Sequence, residues 1–287
     1  MNESPLVSIF ILNWNRKEET CRAIRGAINQ TYSNIEILIV DNGSTDGSSF
    51  FIQKEFPHIR YIQLDKNYGC PGGRNRGLPY CKGDFILFCD NDGVLHKKAV
   101  ENAVSFIIQH KDCAVVSGSV KDFNNESEID TSYILLSSPT LKGTNFFQGG
   151  ISLHRKSIYR EIGNYPDDYI YGGEETYLSY RILDAGYKIV RSEQVILWHK
   201  RSELARNYSK EAIQGWGNAL MNAYQLFPIE YFLSYFIYFF TIYPIYAIRR
   251  GFLKTYLNAL LSYLKRFKNY KRNPVKRSTY KMFRKMK

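Results

Sequence analysis

The feature that most constrains this chain is a row of short apolar runs, each stopping abruptly on a polar or acidic residue. LVSIFIL (6–12) stops at Asn13, IEILIV (35–40) at Asp41, RYIQL (60–64) at Asp65 and FILFC (85–89) at Asp90. Helical patterns separate them: 18–30, a short one before residue 60, one near 73–82 and one at about 97–110, with a further strand pattern at 114–120. Continuous apolar strands alternating with helices predict an α/β fold with a mostly parallel, Rossmann-like sheet covered on both faces. In open sheets of this kind ligands bind in the crevice beyond the carboxyl ends of the strands, which is where these polar stops gather.

Beyond residue 120 the repeat loosens. Residues 121–145 read as an irregular loop near the substrate, FFQGGISL (146–153) as a strand with a glycine break, and 174–185 as a helix stopped by Gly186. YKIV and VILWH read as two short strands, and 209–226 as a helix. The pattern divides the chain into a catalytic-type domain over 1–227 and a different segment over 228–287. From Tyr231 to Lys287 there are 14 Lys or Arg and no Asp or Glu, so the net charge of +12 hides a remainder with 25 basic and 27 acidic residues. Residues 231–248 carry no charge, at the lower limit for a membrane span, but they include five tyrosines and a proline. With the basic, leucine-bearing 252–267 they predict helices lying in or dipping into an anionic membrane face. A span, a hairpin folded on the body, or nucleic-acid binding by the basic tail are the alternatives. The opening residues, polar Asn2-Glu3-Ser4 and Pro5 before a strand pattern, do not read as a secretory signal, and five cysteines without CxxC spacing predict reduced thiols in a cytosolic compartment.

Several constellations bear on chemistry. Asp90 and Asp92, at i and i+2 past a strand end, suit Mg²⁺ or Mn²⁺ bridging a diphosphate, although Asp-Asn-Asp-Gly is also a good turn. Asp41 ends a buried strand and is placed to accept hydrogen bonds from a base or ribose; the loop after it serves equally as a helix start. In KNYGCPGGRNRG (66–77), Gly72, Gly73 and Arg74 enter a helix, an arrangement open to phosphate, while Arg74 as a surface residue is the alternative. Trp14, Trp198 and Trp216 read as core packing rather than sugar platforms. Asp167 and Asp168 read as part of an acceptor loop or as solvated loop charge.

Taken in order, VSIFILNWNR, EILIVDNGSTDGS, NYGCPGGRNRG and FILFCDNDG resemble the nucleotide-binding half of family 2 inverting glycosyltransferases, which have the GT-A fold. The resemblance covers roughly residues 5–225 and, through Asn13-Trp14-Asn15, is nearest to the branch with rhamnosyl- and galactofuranosyltransferases. It implies donor binding by Asn13, Asn15, Asp41, Gly72, Gly73, Arg74, Asp90, Gly149 and Gly150, the glycine pair being followed by a basic residue, Arg155. It implies metal binding by Asp90, Asp92 and His199. It also implies a catalytic base in the acidic pair opening the 174–185 helix. Glu175 stands where the family usually has Asp, with Glu174 as its neighbour; the alternative is that both only complement the helix dipole.

The expected activity is metal-dependent transfer of a sugar, with inversion, from a nucleoside diphosphate to a saccharide or polyprenyl-linked saccharide. The expected cofactor is Mn²⁺ or Mg²⁺, and the expected place is the cytoplasmic face of the cell membrane, held by the tail and with no nucleic acid involved. A nucleotidyltransferase and a non-catalytic membrane-anchored binding module are the rivals. The first is disfavoured by Asn13-Trp14-Asn15-Arg16 standing where its glycine-rich loop belongs.

Overall fold

The computed structural model describes residues 4–123, 125, 129, 141–200 and 208–286. Its first half follows the expected alternation. Strand β1 (Val7–Asn13), helix α1 (Lys17–Ile28), β2 (Ile35–Asp41), α2 (Ser48–Glu55), β3 (Arg60–Gln63), α3 (Gly69–Gly77) and β4 (Phe85–Asp90) build a parallel half-sheet in the order β3-β2-β1-β4. Along β1, Val7, Ile9 and Ile11 point into one core with α1 and α2, while Phe10 points into the opposite core. Two faces buried by alternating residues explain why the run is apolar throughout.

The second half departs from a parallel sheet. After β5 (Gly93–Leu95), α4 (Ala99–Gln109), β6 (Cys113–Phe123) and β7 (Leu141–Thr144), strand β8 (Ile151–Arg155) inserts between β4 and β6, antiparallel to both. Next come α5 (Ile158–Ile162), α6 (Glu174–Asp184) and β9 (Lys188–Lys200), which pairs parallel with β6 and antiparallel with β5 and β7. The sheet is therefore mixed. A single apolar run reads the same in either direction, so β8 looks parallel in sequence. YKIV and VILWH form one strand, β9, whose pairing with β6 shifts register between Arg191 and Ile196. The expected loop at 121–145 is strand at both ends; residues 124, 126–128 and 130–140 of it lie outside the described residues.

Helix α3 starts at Gly69 rather than near 73, and a 3-10 turn over Leu78–Tyr80 follows it. Its glycines bring the helix onto the sheet: a Cβ on Gly77 would lie 2.3 Å from the Phe10 ring, and one on Gly73 2.7 Å from Leu12. The strand expected over 146–153 begins only at Ile151, because Gly149 and Gly150 form the turn before it.

Four helices close the chain: α7 (Tyr208–Leu226), α8 (Ile229–Arg249), α9 (Leu253–Arg266) and α10 (Arg277–Lys285). Leu220 and Met221 of α7, Phe239 of α8 and Tyr256 and Tyr263 of α9 share one aromatic-rich core with Tyr169. Helix α10 seals α6 by stacking Phe283 on Tyr180 at 3.7 Å and by a 2.7 Å hydrogen bond from the Thr279 hydroxyl to Asp184. Residues 228–287 are thus built onto the body. Helix α8 is long and apolar enough to cross a membrane, and only 11% of its apolar window is buried.

Candidate active site

Strand register assembles the site. Asn13 pairs with Asp41 and Leu12 with Asp90, so the carboxyl ends of β1, β2 and β4 fall in one row. The antiparallel β8 turns back at this same edge, where the Asp90 amide donates to the Gly150 carbonyl at 3.0 Å. On the other side β5 pairs Gly93 with His199 of β9, which brings the imidazole to Asp92. The result is a cleft of about 550 Å³ whose lining includes Trp14, Arg16, Asn42, Arg74, Asp90, Asp92, Gly150, Glu174, Glu175 and His199.

One ligand atom each from Asp90, Asp92 and His199 lies within 4.8 Å of the others. His199 Nε2 is 3.1 Å from Asp92 Oδ1, and Arg16 pairs with the other oxygen of Asp92. Burial pushes the Asp92 carboxyl up, but the hydrogen bond from His199 and the Arg16 guanidinium outweigh it and hold the group below the usual carboxylate range. Desolvation pushes Asp90 up, opposed by Arg74. Two carboxylates and one imidazole converging at the mouth of a cleft suit a divalent cation of the Mn²⁺ or Mg²⁺ kind. The chain leaves room for this: a Cβ on Gly150 would stand 2.1 Å from Asp90 Oδ2.

Glu174 and Glu175 open α6 from a left-handed turn at Gly172 and Gly173 (φ 76° and 91°). Glu174 is 4% exposed and its Oε2 has no hydrogen-bond partner. Burial, with the Glu175 charge beside it, pushes its carboxyl up to about 8, which favours the protonated form. Glu175 is part-buried at the cleft; desolvation raises it too, but Arg74 Nη1 stands 3.9 Å from its Oε1 and opposes the rise. The Arg74 guanidinium is buried among Phe88 and Tyr165, with Nη2 donating to the Gly149 carbonyl at 2.9 Å and 3.7 Å from Asp90. A Cβ on Gly149 would lie 2.2 Å from Glu175 Oε1. The two carboxylates therefore flank consecutive glycines, whose Cα atoms are ~3.8 Å apart.

Other expected residues stand behind the cleft. Asp41 is fully buried and accepts from Asn13 at 2.9 Å, Tyr61 at 2.7 Å and the Ser44 amide at 2.7 Å. Asn15 accepts from the Thr45 amide at 2.7 Å. Gly72 and Gly73 face inward from α3, and Arg155 binds the carbonyls of Cys113, Ile107 and His110, away from the site. Sequence reasoning missed Arg16, whose only signal was its place in Asn13-Trp14-Asn15-Arg16. It also missed Trp14, 43% exposed on the cleft, and Glu211 and Gln214 of α7, which line it from a helix carrying no motif.

The family model described as "Glycosyl transferase family 2" matches residues 8–163, more than half of the chain. The chain belongs to glycosyl transferase family 2. It is similar to Glycosyltransferase AglE of Haloferax volcanii, 26% identical over 205 residues, covering 68% of this chain and 67% of AglE. It is also similar to the Escherichia coli UDP-Glc:alpha-D-GlcNAc-diphosphoundecaprenol beta-1,3-glucosyltransferase WfaP, 37% identical over 108 residues, covering 37% of this chain and 43% of WfaP. Among solved structures, the mannosyltransferase PcManGT of Pyrobaculum calidifontis, in complex with GDP-Man and Mn²⁺, superposes with a TM-score of 0.62 at 16% identity, covering 91% of this chain and 75% of that one. The fold is GT-A-like and the protein is a glycosyltransferase, which sets aside the nucleotidyltransferase and the non-catalytic module.

Proposed function

We propose that this glycosyltransferase moves a hexosyl or deoxyhexosyl group, with inversion, from a nucleoside diphosphate to a saccharide or polyprenyl-linked saccharide in cell-surface polysaccharide or glycolipid synthesis. The observation that carries the reading is the Gly149–Gly150 turn, with Glu175 against one glycine and Asp90 against the next. A proton acceptor and an oxygen-rich cation corner thus face one cleft at neighbouring positions. Asp90, Asp92 and His199 would hold Mn²⁺ or Mg²⁺, which neutralises negative charge on the leaving diphosphate. Glu175 accepts the acceptor hydroxyl proton as that oxygen bonds to the anomeric carbon and the bond to the diphosphate oxygen breaks on the opposite face. Arg74 favours the ionised form of Glu175, while burial disfavours a second negative charge on Glu174 beside the base. Asp41 acts from behind: it holds Asn13 and the Ser44 amide, while Asn42 lines the cleft with Trp14 and Arg16.

The acceptor class rests on the tail and on the lipid-linked substrate in WfaP's name. Helix α8 exposes Ile229, Leu233, Ile237, Ile242 and Ile245, and α9 exposes Leu253, Leu257, Leu261 and Leu264 in a stripe of helical spacing. In a segment, 231–287, with 14 Lys or Arg and no Asp or Glu, this surface fits the anionic cytoplasmic face of the cell membrane, with the helices lying on it. The test is turnover of a panel of nucleotide sugars by the full chain with Mn²⁺ and a polyprenyl diphosphate saccharide. One donor is expected to be consumed, and chelation is expected to stop it; no turnover of any donor would remove the reading.

A further inference from the structure

The loop that leads into α6 is held on two sides. The Ile170 carbonyl accepts from the Cys70 amide of α3 at 3.2 Å, while the carbonyls of Asp168, Tyr171, Gly172 and Gly173 are met by side chains of α7 and α9. Asn218 donates to the carbonyls of Tyr171 at 3.2 Å and Gly172 at 2.7 Å, and Asn222 donates to Gly173 at 2.8 Å. Asn222 in turn accepts from the Tyr169 hydroxyl at 2.9 Å, to which Gln225 donates at 3.3 Å. Tyr169, Asn218, Asn222 and Gln225 are all at most 4% exposed. The last member is Arg266 of α9. Its Nη2 donates to Asn218 Oδ1 at 2.9 Å, and its Nη1 donates to the Asp168 carbonyl at 3.3 Å. Close helix contact makes this possible, since a Cβ on Gly217 of α7 would lie 3.2 Å from the Ala259 carbonyl and 3.4 Å from Arg266 Nη2.

Each link is specific. With its Oδ1 committed to Arg266, Asn218 turns its Nδ2 to the loop, so the guanidinium sets the amide orientation. The loop carbonyls then fix a turn at Gly172–Gly173 whose positive φ values are adopted on the way into α6. Glycines reach such φ values without strain and leave them as readily, so the turn keeps its geometry through the groups that hold its carbonyls. Glu175 lies two residues beyond it.

We propose that Arg266 is a positioning residue for the base carboxylate, acting through Asn218 on the Gly172–Gly173 turn, so that catalysis depends on α9. This rests on the reading of Glu175 as the base. Because α9 also carries the exposed leucine stripe, the same helix that meets the lipid surface holds the catalytic turn.

The test uses the full chain with Arg266→Gln, and with Asn218→Asp as a near-isosteric second variant that keeps the acceptor for Arg266 but loses the donor to the loop. Both are expected to lower kcat about tenfold or more, with donor KM within about twofold, as a misplaced catalytic group does. Both should speed amide hydrogen exchange in 168–175 while leaving β1–β4 unchanged. Arg266→Lys, which keeps the charge but not the fork, should recover only part of kcat. Unchanged kcat and exchange in Asn218→Asp, or a uniform rise in exchange across the sheet, would overturn the proposal. Glu175→Gln run alongside separates the two ideas. An inactive Glu175→Gln with a fully active Arg266→Gln removes the brace alone, whereas an active Glu175→Gln removes the base assignment and the brace with it.

Discussion

Two adjacent carboxylates that look interchangeable in Glu174-Glu175 are made unlike by their surroundings. Both line the cleft, but Glu174 is buried without a partner for Oε2 and its carboxyl is pushed up to about 8, whereas the more exposed Glu175 stands opposite Arg74. Only the fold distinguishes the surroundings of two such neighbours. The sign of the consequence follows from linkage. A carboxyl whose folded pKa is raised binds its proton more tightly in the folded state, so stability is full below the unfolded value of 4.5 and falls as pH rises toward about 8. Glu174→Gln is therefore expected to flatten the loss of Tm between pH 5 and pH 8, raising Tm at pH 8 by several degrees while changing it little at pH 5. Thermal melts across that range check this.

Most of the elements were legible in the sequence because the signal is local. The runs ending at Asn13, Asp41 and Asp90 are strands ending there, and Asp90, Asp92 and His199 do converge. What was not legible depends on partners distant in the chain. Nothing in FFQGGISL says that its strand runs antiparallel between β4 and β6, and nothing in the glycines of 69–77 distinguishes phosphate approach from the tight seating of α3 on Phe10 and Leu12. The Gly149–Gly150 turn shows how much the β4–β8 pairing determines. A methyl on Gly150 must displace the Asp90 carboxylate, a short side chain with little freedom to yield. Gly150→Ala is expected to weaken Mn²⁺ binding about tenfold or more, with melting temperature changed by only a few degrees, because the strain falls on one side chain. Calorimetric titration with Mn²⁺ reads the first, and a melt reads the second.

At the scale of the whole molecule, the division at residue 227 describes composition better than it describes the fold. Helices α7–α9 share a core with Tyr169, and α10 seals α6, so the basic segment supports α6 while presenting apolar residues outward. On the proposed reading these two faces serve two tasks. Leu257→Ser with Leu261→Ser lies on the outer stripe, and the pair is expected to lower co-sedimentation with phosphatidylglycerol-containing vesicles several-fold while sparing turnover of a soluble acceptor. Raised salt should weaken wild-type binding further, because screening removes the basic contribution. Unaltered co-sedimentation would place the contact elsewhere. The central claim is that Glu175 takes the proton while the Asp90–Asp92–His199 corner serves the leaving diphosphate. Its most direct test is donor binding and transfer measured side by side for wild type, Glu175→Gln and Asp92→Ala with Mn²⁺. Glu175→Gln is expected to bind the donor as wild type does yet lose transfer by about a hundredfold or more, while Asp92→Ala is expected to lose Mn²⁺-dependent donor binding. Transfer at the wild-type rate by Glu175→Gln, or undiminished Mn²⁺-dependent binding by Asp92→Ala, would contradict it.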